Sequence, residues 1–375
     1  MALLRAEVGL GVIVVLLVLL SPLGPWGQMG CATEVEEPLQ AVDGGRRLEA
    51  AGPIDGTALT EVRGEQAPFG PPYPIILVHG FSGWNDVGAV GYFYLVVADL
   101  SAAGADVTSP ALPPYDASLD RAVVLARVID EVLGRTHKRK VHLIAHSQGG
   151  IDSRMLITDL GYSDRVASLT TISTPHRGTA LADLADYAPG SGINAAGQLL
   201  GWLLGALEGE PPGEAAWLAD DSIAGAFDPD LSASITSMQP ATMALFNAAH
   251  PDPIGVPIFS IGGVSNLHTL DDPACNDGLW QHSTNVDAVD VFFAGGGAYL
   301  SYTEGGTLLS PTANDGLVTL SSARWGVWLG CIPADHIDEI GQIADDGPGF
   351  ISGWDHRLFY LDLLQHVRRV EGLEE

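Results

Sequence analysis

The stretch VHLIAHSQGG, residues 141–150, constrains the architecture of this chain more than any other. An apolar run of strand length ends at a serine, and a glycine pair then opens IDSRML, which has helical character. A strand that turns straight into a helix is the working unit of a parallel sheet, because parallel strands need a crossover that packs on one face. The turn between them is sterically demanding. Where strand and helix nearly touch, the residues two before and two after the serine must be small. Gly149 meets that demand, and Ala145, standing where the pattern G-x-S-x-G has glycine, adds a single methyl. Ser147 is therefore read as a candidate nucleophile on a sharp turn, in preference to an ordinary helix cap.

Other segments extend the same rhythm. PIILVHG (74–80) is a β-branched run of the kind buried in parallel sheets, followed by a helical stretch over 91–103 and a short strand near 106–108. ASLDRAVVLARVIDEVL (117–133) sets Leu119, Ala122, Val123, Ala126, Ile129 and Leu133 on one helical face, as a crossover helix requires. VHLIA (141–145), RVASLTTIS (165–173) and VPIFSI (256–261) add strands, so the expected class is α/β with a mostly parallel, doubly wound sheet. Residues 183–250 interrupt the alternation with helical, acidic and Gly-containing material. Within them INAAGQLLGWLLGALEG (193–209) has an apolar surface wider than one face needs, which fits either a buried helix or a mobile cap.

The two ends differ from this body. One early arginine and an apolar run over 8–20, short for a membrane span, suit a secretory leader, so residues 1–30 are expected to be a signal peptide. Residues 31–72, acidic and rich in Gly and Pro, read as a linker, leaving 73–372 as the main domain. Cys31 leaves three outcomes open: a lipid anchor at that thiol, a soluble secreted form, or a retained leader. Cys275 and Cys331 form an even pair in an oxidising compartment, and a disulfide between them is expected. With 17 Lys+Arg against 46 Asp+Glu, a formal charge of -29, the chain lacks the basic stripe that nucleic acid requires.

Two companions give Ser147 a chemical setting. HGFSGW (79–84) follows the first core strand, and a glycine-containing loop there can aim backbone N–H groups at a developing oxyanion. The Phe81 and Gln148 amides are the expected donors. The second companion is a late acid and base in the order Ser, Asp, His. The tetrapeptide NDGL occurs twice, offering Asp277 or Asp315; Asp315 is preferred because ANDGLVTL continues into a strand-like run and lies 21 residues before His336. His336, in PADHIDEI, is the expected base, while His268, His282 and His356 read as surface or core histidines. His146 sits on the turn itself, poorly placed to reach round to Ser147.

Taken together, ILVHGFSGW, VHLIAHSQGG, LTTISTPHRGT, ANDGLV and DHIDEIGQ resemble the bacterial true lipases of the Pseudomonas and Burkholderia type over roughly 74–370. AHSQGG with alanine, and WDHRLFYLDLLQHV (354–367), are similar to the thermophilic Bacillus lipases. The resemblance implies an α/β-hydrolase fold with a helical lid at about 183–250, and Ser147, Asp315 and His336 as a triad. It implies a secreted or outer-surface bacterial enzyme that cleaves triacylglycerols and related lipid esters through an acyl-enzyme. It further implies a structural calcium ion held by Asp338, Gln342, Asp346 and either Asp290 or Asp287. Zinc is not expected, since only Asp120 matches a ligand of the Bacillus-type zinc site. A monomer is expected, and several Pseudomonas-type relatives need a dedicated chaperone, which makes one a candidate partner. Two alternatives stay open: a carboxylesterase or acyltransferase acting on short soluble esters, and a non-catalytic lipid-binding surface lipoprotein.

Overall fold

The computed structural model describes residues 69–81, 86–87, 90–184, 229–265, 275, 293–342 and 354–372. The expected leader, Cys31, most of the linker and the apolar segment 193–209 lie outside the described residues. Six strands form one sheet in the order β4-β1-β5-β6-β7-β8, every neighbouring pair parallel. They are β1 (Ile75–Val78), β4 (Val107–Thr108), β5 (Val141–His146), β6 (Val166–Ile172), β7 (Ile258–Gly263) and β8 (Val327–Ile332). A short antiparallel pair, β2 (Asp86–Val87) and β3 (Val90–Gly91), stands apart. The helices are α1 (Val96–Ala102), α2 (Ser118–Thr136), α3 (Gln148–Thr158), α4 (Ala180–Leu184), α5 (Pro229–Ser237), α6 (Pro240–Ala249), α7 (Ala294–Leu300), α8 (Leu320–Ala323) and α9 (His356–Glu371).

Alternation along β1 shows why this sheet is double-sided. Ile75 and Leu77 join one core cluster with α1 and α9, including Val96, Leu100, Phe359 and Leu363. Ile76 and Val78 face the other, with Leu125, Ile129, Leu143 and Leu156 from the side of α2 and α3. All four β1 residues are buried, and burying each such side chain contributes about 1.5–3 kcal/mol. α9 starts where Asp355 caps it, its side chain accepting from the Leu358 amide at 3.0 Å. Among the described residues no helix is long and apolar enough to cross a membrane.

Four details depart from expectation. The stretch expected to be helical from 91 becomes a helix only at Val96, because Tyr92 and Phe93 are used as buried contacts of the loop before it. On α2 the buried face runs through Ser118, Arg121, Ala122, Leu125, Ala126, Ile129 and Val132, leaving Leu119 46% exposed. The face is rotated because Arg121 has buried acceptors to satisfy. After Asp315 the expected strand-like run is a turn leading to the short helix α8, whose cap Thr319 accepts from the Ser322 amide. The edge strand β8, unassigned from sequence, supplies Cys331, and the expected disulfide to Cys275 is formed, with Cα atoms 4.8 Å apart. His356 is a core histidine, as expected: it is buried and its Nε2–H donates to the Tyr94 carbonyl at 3.0 Å.

Candidate active site

All six sheet strands point the same way, so the turns after β5, β7 and β8 gather at one edge. Ser147 occupies the turn between β5 and α3 with φ 55 and ψ -132, a conformation L residues rarely adopt and one costing about 1–3 kcal/mol. Hydrogen bonds on both sides hold it: the Ser147 amide donates to Ile172 O at 2.9 Å, and Thr174 Oγ1 donates to Ser147 O at 2.7 Å. The neighbouring glycines are sterically required. A Cβ on Gly149 would lie 2.6 Å from Val78 O, and one on Gly80 would lie 2.6 Å from Ser147 Cβ. Ala145 escapes this crowding because it belongs to the strand, buried in the cluster that holds Val78 and Leu156. The methyl is core packing.

Ser147, His336 and Asp315 converge there. His336 Nε2 lies 2.9 Å from Ser147 Oγ, and Nδ1 lies 2.8 Å from Asp315 Oδ2. The other oxygen, Asp315 Oδ1, accepts from the Leu317 and Val318 amides at 2.9 and 2.7 Å. The His336 amide donates to Asp315 O at 3.0 Å, which ties the two loops together. Asp277 and the histidines at 268 and 282 lie outside the described residues.

The loop carrying Phe81 is held from behind. Arg121 donates to His79 O at 2.7 Å and Gly80 O at 3.2 Å, while its Nε pairs with Asp152 at 2.7 Å. His79 Nε2 accepts from the Leu112 amide at 2.8 Å, which assigns the ring proton to Nδ1, facing Gly80 O at 2.9 Å. With the Gly80 amide donating to Tyr92 Oη at 3.1 Å, the loop is pinned up to the residue before Phe81. Phe81 packs edge-on against Tyr115, ring centroids 5.6 Å apart. Gln148 opens α3, so its amide is among those with no acceptor inside the helix.

Arg121, Tyr92 and Glu339 are functional neighbours that sequence reasoning missed. Glu339 is buried behind His146, with Oε2 3.0 Å from His146 Nε2, while Oε1 accepts from Ser173 Oγ at 2.5 Å. His146 Nδ1 contacts Tyr92 Oη at 2.7 Å. Burial, with Asp315 next in size, pushes the Glu339 carboxyl well up, and burial beside His336 pushes His146 well down. Burial thus biases the carboxyl toward its protonated form and the ring toward its neutral form where the two meet. His146, His336 and Glu339 bring donor atoms within 4.8 Å, but these contacts already occupy both His336 nitrogens and both His146 nitrogens. Hydropathy leaves Arg121 off the expected apolar face of α2, so its role emerges only from the buried acceptors it meets.

Of the expected calcium ligands, Asp338 and Gln342 lie together in the turn after His336, both buried. Asp338 O accepts from Trp354 Nε1 at 2.9 Å, and the Gln342 side-chain amide donates to Gly91 O and Tyr92 O at 2.6 and 2.9 Å. Asp287, Asp290 and Asp346 lie outside the described residues, and Asp120 is exposed in the first turn of α2.

Three buried rings make the stability of this chain acid-sensitive. Burial, aided by Arg121, lowers His79 from 6.5 to about 3; burial also lowers His146 and His176 well below that ordinary value. Below about pH 6.5 the unfolded chain therefore binds protons that the folded chain refuses, and stability falls with pH by up to about 1.4 kcal/mol per unit for each ring. Glu339 and Asp152, both raised by burial, act in the opposite sense above their unfolded values of 4.5 and 3.8, but they are two groups against these three rings and His356, which burial also lowers. Melting at pH 5 should come well below melting at pH 7.5; an equal or higher midpoint would contradict the neutral assignment of these rings.

Residues 73–191 match the family described as alpha/beta hydrolase fold. The chain has the alpha/beta hydrolase fold. Among curated relatives of this hydrolase fold, a triacylglycerol lipase of Burkholderia plantarii is 41% identical over 115 residues, 30% of this chain and 32% of the relative. A triacylglycerol lipase of Vibrio cholerae serotype O1 is 28% identical over 286 residues, 72% of this chain and 80% of that one. The matches at 41% identity span about a third of the length of the curated relatives. Lipase 1 from Pelosinus fermentans has a similar fold, with TM-score 0.54 at 18% identity, covering 80% of this chain and 98% of that chain.

Proposed function

We propose that this chain is a secreted serine ester hydrolase whose substrates are triacylglycerols and related lipid esters. The observation that carries the reading is the hydrogen-bonded series Ser147 Oγ, His336, Asp315 set on a strained turn. Relatives named triacylglycerol lipases support the substrate class. In this mechanism His336 Nε2 takes the Ser147 proton as Oγ attacks the ester carbonyl, and Asp315 stabilises the imidazolium that forms. The negative oxygen that develops is met by the Phe81 and Gln148 amides. Collapse releases the alcohol, protonated by His336, and leaves an acyl-enzyme at Ser147. Water then attacks that ester with His336 again as base, and the fatty acid departs. The test is hydrolysis of a tributyrin emulsion by the parent chain and by Ser147→Ala; equal rates would end the proposal.

Calcium belongs to the same reading. The Asp338 carboxylate and the carbonyl oxygens of its turn are the hard donors such an ion takes, and a buried carboxylate gains from a cation beside it. Asp338 and Gln342 would hold it, joined by Asp346 and by Asp290 or Asp287. Its chemistry would be electrostatic bracing of the loop that bears His336. Chelation should lower the melting midpoint, and added calcium should restore it; an unchanged midpoint would count against the ion.

A further inference from the structure

After α7 the chain makes a projecting loop, residues 301–312, before returning to Asn314 and Asp315. Its neck is closed by the Thr312 amide donating to Ser301 O at 2.9 Å and Thr312 Oγ1 donating to Thr303 O at 2.6 Å. Its tip is a tight turn in which the Thr307 and Ser310 amides donate to each other's carbonyls at 2.9 and 3.2 Å. Turn positions of this kind favour Gly, Asn or Asp. Here they are Leu308 and Leu309, 79% and 96% exposed, with Tyr302 57% exposed on the same loop. The loop is a braced element with an apolar end, which differs from the scattered single apolar residues normal on a protein surface.

We propose that the Leu308–Leu309 tip inserts into an uncharged lipid surface and docks the active-site edge of the sheet on it. This rests on the lipase reading, which supplies the reason for a lipid partner. Position supports it: Asn314 Nδ2 bonds Gly297 O and Ser301 Oγ at 3.3 and 3.4 Å, and Asn314 O accepts from the Ser265 amide just beyond β7. The tip therefore stands on the segment that leads into Asp315. Charge supports it too. Residues 305–314, GGTLLSPTAN, carry no ionisable side chain in a chain of formal charge -29, and the nearest acid, Glu304, turns back to accept from Thr319 Oγ1 at 2.8 Å. An anionic surface would repel the whole molecule, whereas a neutral one meets an uncharged tip.

The test is co-sedimentation of the full chain with phosphatidylcholine vesicles, alongside turnover of dissolved p-nitrophenyl acetate. The double variant L308S/L309S should lose at least about tenfold in vesicle partition, since partition scales with apolar area buried, and keep its soluble-ester rate. Equal partition by parent and variant would overturn the proposal. Should the serine variant misfold, L308W/L309W reads the same contact: a blue shift of the added tryptophan emission on vesicles supports it, and no shift overturns it. A parent that self-associates through the tip, with the variant monomeric and its vesicle partition unchanged, would assign the patch to a second copy and overturn it as well. Inactivity of the parent on the dissolved ester would instead count against the hydrolase reading, leaving vesicle binding as a separate result.

Discussion

Ser147→Ala should lower hydrolysis of emulsified tributyrin by about a millionfold, the scale of loss when a serine nucleophile is removed from a hydrolase. The fold should survive the change. The strain at φ 55 arises from Cβ, which alanine retains, and the bonds that hold the turn are made by the Ser147 amide and carbonyl. Gly80 would meet the same Cβ in either protein. The melting midpoint should therefore move by less than a few degrees while labelling by a fluorophosphonate probe disappears. A variant that keeps the parent's rate would mean that Ser147 is a helix cap after all, and that the His336 contact at 2.9 Å has no chemical consequence.

Asp315→Asn should cost about ten-thousandfold in kcat, and the reason lies in which of its atoms are already committed. Asp315 Oδ1 accepts from the Leu317 and Val318 amides, so the asparagine oxygen must take that place and its NH2 must face His336. His336 Nδ1 then becomes an acceptor, the ring proton moves to Nε2, and Nε2 presents a proton to Ser147 Oγ instead of a lone pair. The base would be in the wrong tautomer with its geometry intact. Asp277→Asn is the matched control, and should leave the rate within twofold of the parent. Loss of rate in the Asp277 variant with retention in the Asp315 variant would reverse the assignment.

The contest between the two NDGL copies shows where sequence stopped. Both tetrapeptides are identical over their length, so only the residues that follow distinguish Asp277 from Asp315 in sequence. Asp315 does contact His336, yet the stretch after it is a turn and a short helix instead of the strand its composition suggests. What ties Asp315 to the base is contact: the His336 amide and ring both return to it. The α2 helix teaches the same lesson. Hydropathy placed Leu119 inside and Arg121 outside, and the structure reverses both because Arg121 finds Asp152 and three backbone carbonyls. Glu339 stayed unread in DHIDEI for a similar reason, since its partners His146 and Ser173 lie 193 and 166 residues away.

By itself the sequence determined what short-range sterics govern. VHLIA had to be strand and GGIDSRML helix, because the apolar run and the glycine pair that set them act within a few residues of the turn. It also offered a serine, an acid and a histidine in that order, and two late cysteines whose pairing the structure supplied. Only the tertiary structure decided which side chains meet. The contact between His336 and Ser147 spans 189 positions, and it exists because β5 and β8 end at the same edge of one parallel sheet. The Ala145 methyl was likewise settled by packing: it faces a core with room for it, while Gly149 lies against the β1 carbonyls with none.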